Sequence, residues 1–287
     1  MTANHVDIVE CPRDAMQGLH DFIPTQNKVA YLQSLLEVGF HSLDFGSFVS
    51  PKAIPQLKDT KEVLANLDLS RTQTQLLAIV ANLRGAQEAA AYDEIEYLGY
   101  PFSVSEVFQK RNTNKTIAES RELVEELLEL STKQNKQLVV YVSMGFGNPY
   151  REAWSVSIVE DFCAALADRG VKILSLSDTI GTSNPESIAH LFGSLIPAFP
   201  QVEFGAHLHT HAHNWREKVD TAYAKGCRRF DGAIKGYGGC PMAADDLIGN
   251  MPTEKLLSYF NEKKVAHGVD MLAFESAYNR ALQTFPL

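Results

Sequence analysis

Short apolar or β-branched runs alternate with amphipathic stretches along nearly the whole chain. The runs are VDIVE (6–10), SLDFG (42–46), QTQLLAIVAN (73–82), IEYLGYPFSVS (95–105), QLVVYVSMGF (137–146), KILSLSD (172–178), VEFGAHLH (202–209) and RRFDGAI (228–234). Each precedes a stretch with helical spacing of its apolar residues, such as NKVAYLQSLLEVG, SVSIVEDFCAALADRG or PTEKLLSYFNEKK. Alternating strands and helices predict a parallel sheet. The runs are mostly continuous rather than alternating, as expected of strands covered on both faces. Eight such units predict an α/β fold of the (β/α)8 TIM-barrel type. A doubly wound open sheet would need fewer strands or a second domain. We expect a single domain over 1–287, with the barrel over about 5–265 and one further C-terminal helix over about 268–284.

Local signals support these boundaries. Asn184-Pro185 reads as N-cap and first helical residue. Gly39, Gly170 and Gly226 fall where helices should end and are predicted C′ residues. The acidic stretch RELVEELLEL has the spacing of an amphipathic helix with a solvated face.

Length and composition agree with one barrel. The chain has 287 residues, 45% of them hydrophobic, and α/β barrels of this size are routinely one domain. The formal net charge of −9 argues against non-specific nucleic-acid binding, which needs a positive field. No stretch is long and apolar enough to span a membrane, and the N-terminus lacks the pattern of a signal peptide. The four cysteines, Cys11, Cys163, Cys227 and Cys240, are expected as free thiols in a cytoplasmic protein. Cys163 and Cys227 lie in patterns that predict structural burial.

Barrels of this type place chemistry at the C-terminal ends of their strands. Arg13, Asp14 and Gln17 follow the first run, and Asp44 and Ser47 lie at the second. Ser103, Glu106, Lys110, Asn112 and Asn114 follow the fourth, and Asp178 and Thr179 the sixth. The seventh ends in His207-Leu208-His209, and the eighth leads to Cys240 and Asn250. Residues two apart on a strand point the same way, so His207 and His209 can share a cation. Asp14 can add a carboxylate and Asn250 a carbonyl oxygen. Two nitrogens and several oxygens without a thiolate suit Mg²⁺ or Mn²⁺, with Zn²⁺, Co²⁺ or Fe²⁺ as alternatives. A pair of hydrogen-bonded barrel histidines is the other reading of the same motif. In HLHTHAH we place His211 in a loop and His213 at the start of the next helix. Arg13 can clamp a carboxylate or stabilise an enolate oxygen, or form a plain ion pair with Asp14. Lys52 and Lys110 are solvated or meet an anion. Cys240 lies in GGCP, a stretch suited to neither helix nor strand. It is either an incidental thiol or a proton donor on a loop that closes over the site.

The stretches VECPRDAMQ, DFGSFVSPKAIPQ, SEVFQKRNTNKTIAES, SLSDTIG, AHLH and GYGGCPMA, the last followed by GN and TEKL, resemble the 3-hydroxy-3-methylglutaryl-CoA (HMG-CoA) lyase family. These are metal-dependent barrel lyases with a pyruvate-carboxyltransferase-type domain. The resemblance covers nearly the whole chain, and SFVSPK and GGCP are its most specific parts. It implies metal ligands at Asp14, His207, His209 and Asn250, and catalytic roles for Arg13 and Cys240. It implies substrate contacts at Gln17, Asp44, Ser47, Asp178 and Thr179. It further implies Mg²⁺ or Mn²⁺, an acyl-CoA substrate and a homodimer, with His207 and Asp14 both candidates for the base. The chain departs from the family pattern at Ala15, Asp44 and Thr210, and in a loop before Asn250 that carries Asp245-Asp246 and runs one residue longer. Related readings are a Claisen synthase acting on a 2-oxo acid, a pyruvate-releasing aldolase, and a metal-binding barrel without activity. That the sequence stops one helix after the barrel favours the lyase.

Overall fold

The computed structural model describes residues 4–239 and 248–285. Eight parallel strands close into a barrel in chain order. They are β1 (Asp7–Glu10), β2 (Ser42–Ser47), β3 (Gln75–Ile79), β4 (Ile95–Ser103), β5 (Gln137–Ser143), β6 (Ile173–Asp178), β7 (Glu203–Leu208) and β8 (Arg229–Gly232). The helices are α1 (Pro12–Gln17), α2 (Thr25–Leu36), α3 (Thr60–Ala65), α4 (Leu83–Ala90), α5 (Glu106–Thr113), α6 (Ile117–Lys133), α7 (Val156–Asp168), α8 (Pro185–Ala198), α9 (Trp215–Ala224), α10 (Thr253–Glu262) and α11 (Met271–Thr284). This is the TIM barrel expected from the pattern, and α11 is the expected C-terminal helix. Among the described residues, no helix is long and apolar enough to cross a membrane.

Strand parity divides the core in two. Outward residues such as Ile8, Leu76, Leu98, Val140, Leu174, Phe204 and Phe230 belong to one large apolar cluster shared with the helices. Inward residues Leu77, Ile79, Tyr97, Val139, Tyr141 and Ile173 form a separate cluster inside the barrel. Burying both faces explains why the strands read as continuous apolar runs. Two outward residues are acidic and fully buried. Glu10 accepts a hydrogen bond from the Ile234 amide at 2.9 Å and shares one with the Thr253 hydroxyl at 2.5 Å. It thereby ties β1 to the segment between β8 and α10. Asp178 is the other (below).

The predicted caps hold for α8, where Asn184 and Ser187 cap reciprocally and Pro185 leads the helix. Gly170 and Gly226 follow the C-caps of α7 and α9 with φ of +98° and +101°. Gly39 lies one residue further out, because the C-cap of α2 is Glu37. His213 does not begin α9. Asn214 accepts from the His211 amide at 2.9 Å and holds a turn before Trp215. Two short helices, α1 and α5, occupy stretches to which the sequence pattern assigned no element. Cys11, Cys163 and Cys227 are buried and unpaired. Cys240 and the Asp245-Asp246 pair lie outside the described residues.

Candidate functional site

The C-terminal mouth of the barrel gathers the charged residues of β1, β2, β7 and β8. Pro12 starts α1 directly after β1, as a residue with preset φ and no amide proton can. Arg13 and Gln17 then sit four apart, on one face of that turn. Arg13 donates through Nε to both Asp44 oxygens (3.1 and 2.9 Å) and through Nη2 to Asp44 Oδ2 (2.5 Å). Its Nη1 donates to Asp14 Oδ1 (3.1 Å) and Gln17 Oε1 (2.9 Å). Among the described residues, these contacts leave one Nη2 hydrogen uncommitted. Burial works against the Arg13 charge, but Asp44 and Asp14 outweigh it and hold the guanidinium above its ordinary range. Burial pushes the Asp44 carboxyl up to about 6 against the opposing pull of Arg13, so it is ionised at neutral pH.

Asp14 is the hub. Gln17 Nε2 donates to its Oδ1 at 2.5 Å and Asn250 Nδ2 to its Oδ2 at 2.8 Å. Burial would raise this carboxyl, but Arg13, His207 and His209 together lower it. His207 Nε2 lies 3.9 Å from Asp14 Oδ2, and the His207 and His209 rings are 5.5 Å apart. The other nitrogen of His207, Nδ1, is 3.1 Å from Asp231 Oδ2. Burial disfavours the imidazolium, yet Asp231 and Asp14 raise the His207 pKa overall. For His209, Asp14 and Asp178 pull the same way but do not offset the opposing effects. Burial, with His207 beside it, pulls it down to about 4, so it is a neutral imidazole, the form that binds cations.

The geometry passes a donor test for a divalent cation. Asp14, His207 and His209 each offer one ligand atom, and the three atoms lie within 4.8 Å of one another. Among the described residues, His209 Nδ1 is buried without a hydrogen-bond partner, a cost that ligation or a bound partner would offset. Asn250 uses its Nδ2 on Asp14 and on the Tyr237 carbonyl (both 2.8 Å), which leaves its side-chain oxygen as the donor. Asp231 on His207 Nδ1 is the arrangement that fixes tautomer and orientation in carboxylate–histidine–metal triads.

Gly238 explains why glycine precedes the cysteine. Its φ is +92°, and a Cβ there would lie 2.6 Å from the Asp14 carbonyl oxygen and 2.9 Å from Asn250 Nδ2. The stem of the GGCP stretch thus lies directly against two members of the cluster.

A cavity of about 110 Å³ opens beside the cluster, with Arg13, Asp14, Gln17, Thr179, His207 and His209 in its lining. Its apolar wall includes Val49, Ile54, Ile79, Pro101, Phe108 and Tyr141. Asp44 is brought to the site through Arg13. Ser47 is not among the lining residues. A bulge between Asp44 and Gly46 shifts the register, and the Ser47 hydroxyl donates to Ile79 O (3.4 Å) and accepts from the Val49 amide (3.2 Å). Asp178 is turned away altogether. It pairs in register with outward-facing Leu208, and its carboxylate accepts from Lys218 Nζ (2.8 Å) and the Ser183 hydroxyl (2.5 Å). Lys110 pairs with Glu106 at 3.1 Å on an exposed helix face.

Residue type alone did not reveal Asp231, Tyr141 or Phe108, whereas Asn112, one of the polar residues noted after the fourth run, does line the cavity. Asp231 had a signal, since it shares strand parity with Arg229 inside a barrel. Tyr141 stands edge-on to His207, with ring centroids 5.6 Å apart. Phe108 and Asn112 come from α5, which was not expected to exist.

Comparison with known proteins agrees with the geometry. The HMGL-like family model matches residues 6–280. The chain is 30% identical to the hydroxymethylglutaryl-CoA lyase of Bacillus subtilis (strain 168), over 93% of this chain and 88% of that one. It is likewise 30% identical to the cytoplasmic 3-hydroxy-3-methylglutaryl-CoA lyase of Rattus norvegicus, over 93% of this chain and 77% of the relative. An HMG-CoA lyase structure from Acinetobacter baumannii, in complex with coenzyme A and 3-methylmalate, superposes with a TM-score of 0.90 at 28% identity, covering 99% of this chain and 92% of that one. With its barrel, its Asp–His cluster and these matches, the chain belongs to the HMGL-like family of HMG-CoA lyase-like enzymes.

Proposed function

We propose that the protein cleaves 3-hydroxy-3-methylglutaryl-CoA to acetoacetate and acetyl-CoA with a bound Mg²⁺ or Mn²⁺. The observation that carries this reading is the convergence of Arg13 on the cluster of Asp14, His207 and His209 at one barrel mouth. Asp14, His207, His209 and Asn250 would hold the ion. When bound, it would supply Lewis-acid chemistry that lowers the pKa of the substrate hydroxyl.

The protein's own groups then have distinct tasks. His207 or Asp14 takes the proton of the tertiary hydroxyl. The oxygen forms the ketone as the adjacent carbon–carbon bond breaks, and the bonding pair passes into the thioester enolate. The uncommitted Nη2 hydrogen of Arg13 points the residue to that enolate oxygen, where preorganised charge acts most strongly. Asp44 keeps the guanidinium in place. Cys240, protonated near neutral pH, delivers the proton that turns the enolate into acetyl-CoA. Gln17 and Thr179 are the substrate contacts that line the cavity. Coenzyme A is held outside this small cavity, and a homodimer in the cytoplasm belongs to the same reading.

Incubating the protein with Mn²⁺ and HMG-CoA should yield acetoacetate. Absence of product, with turnover of a 2-oxo acid instead, would transfer the protein to the synthase or aldolase reading. His209→Ala should abolish tight Mn²⁺ binding; unchanged stoichiometry would refute the ligand set.

A further inference from the structure

The two histidines of the cluster are held in different ways. His207 lies within β7 and has Asp231 on its ring. His209 lies one residue beyond the end of β7, and its buried Nδ1 has no partner among the described residues. Its position therefore depends on its backbone. The carbonyl of His209 accepts a hydrogen bond from Lys218 Nζ at 2.9 Å. Lys218 is on α9, fully buried, and its ammonium makes two more bonds, to Asp178 Oδ2 at 2.8 Å and to the Gly181 carbonyl at 3.2 Å. An ammonium has three donors, and here all three are used on the ends of β6 and β7.

This contact extends to the fourth candidate ligand. Gly181 has a φ of +70°, and a Cβ on it would lie 2.7 Å from Ile248 Cδ1. The loop that Lys218 grips thus packs against the residue two before Asn250. Next along, the Gly249 carbonyl accepts from the Thr210 amide at 3.0 Å, and His209 and Asn250 form an isolated antiparallel bridge. From these contacts we infer that Lys218 is a positioning residue for the metal cluster: its ammonium, paired with Asp178, sets the backbone that carries His209 and, through Gly181 and Ile248, the approach of Asn250. This rests on the proposed cation site, and it gives the Asp178 carboxylate a role behind the cluster rather than on the substrate.

The test is Mn²⁺ affinity, measured by calorimetry or by the loss of the free-ion paramagnetic signal. Lys218→Met alone would strand a buried carboxylate, so it is combined with Asp178→Asn. A second variant, Lys218→Gln with Asp178→Asn, keeps a donor for the His209 carbonyl. The matching control is Lys28→Met with Asp59→Asn, which removes a buried ion pair of 2.7 Å that, among the described residues, makes no hydrogen bond to Asp14, His207, His209 or Asn250. We expect the Lys218→Met double variant to bind Mn²⁺ on the order of 10–100-fold more weakly, as when other outer supports of metal ligands are lost. The Lys218→Gln form should recover part of that loss. The control should lose stability to urea and keep wild-type affinity. Equal Mn²⁺ affinity in wild type and both Lys218 variants would overturn the inference while leaving the cation site intact. No Mn²⁺ binding by the wild type would overturn the site itself, and the inference with it.

Discussion

Replacing Glu10 by glutamine should make the protein more stable at neutral pH and change how its stability depends on pH. Glu10 is fully buried, and its partners are neutral, the Ile234 amide and the Thr253 hydroxyl. Burial raises its pKa from 4.5 to about 8, with both hydrogen bonds pulling the other way. The folded protein therefore keeps the proton over a pH range in which the unfolded chain has lost it. Stability contributed by this group is fully present below pH 4.5 and declines as pH rises, until the folded form also ionises near pH 8. One pKa unit corresponds to about 1.4 kcal/mol. The penalty thus grows from about 1 kcal/mol at pH 5 to about 3 kcal/mol at pH 7. A carboxamide fits the same two bonds, because its oxygen accepts from Ile234 and its NH₂ donates to the Thr253 oxygen.

The assay is equilibrium urea unfolding of both proteins at half-unit steps between pH 5 and pH 7. Other carboxyl groups also titrate there, so the informative quantity is the difference between variant and wild type. Glu10→Gln should gain on the wild type by roughly 2–3 kcal/mol across that range. Parallel curves would refute the reasoning, because they would mean that Glu10 titrates alike in both states. An approach of the two curves with rising pH would refute its sign.

Three further outcomes are expected. Asp231→Asn should weaken Mn²⁺ binding on the order of 10–100-fold through loss of the carboxylate on His207 Nδ1; calorimetry with circular dichroism on the same sample separates this from misfolding. Gly238→Ala should lower both Mn²⁺ affinity and turnover, because its Cβ would meet the Asp14 carbonyl at 2.6 Å; titration with Mn²⁺ and an acetoacetate assay check it. Cys240→Ser should keep wild-type Mn²⁺ affinity and lose most HMG-CoA turnover, since a hydroxyl is a much weaker acid than a thiol; unchanged turnover would remove Cys240 from the mechanism.

The barrel was legible because its strands are buried on both faces. Runs such as QLVVYVS and ILSLSD need no partner information to stand out. The longer helices were legible through their periodic apolar stripes. The failures were α1 and α5. The first has six residues and the second eight, and the hydrophobic period needs a longer window to emerge. These two helices carry Arg13, Asp14, Gln17, Phe108 and Asn112. Short polar helices at strand ends are where a barrel site escapes pattern reading, because their residues are chosen for the cavity and not for a core.

Residue type found the cluster, and strand parity decides which acids belong to it. His207 faces inward, and along the β6–β7 register it pairs with Ser177, whereas Asp178 pairs with outward Leu208. An acid beside a strand's end can therefore face either the cavity or the helices, and Asp178 faces the helices. On the other side Gly205 pairs with Arg229 and Ala206 with Phe230. Continuing by one residue sets His207 beside Asp231, where a 3.1 Å contact is found. Parity can be counted without any structure: Arg229 and Asp231 flank outward Phe230, as His207 and His209 flank Leu208. It fails only where a bulge intervenes, as between Asp44 and Gly46. Gly46 allows that bulge, since a Cβ there would lie 2.5 Å from Thr60 Cγ2. Beyond it Ser47 bonds to backbone while Asp44 stays on Arg13. The acid that supports His207 was within reach of the sequence. Asp178 was also named, but its partner Lys218 was not, because it sits forty residues away on a helix whose rotation only packing determines.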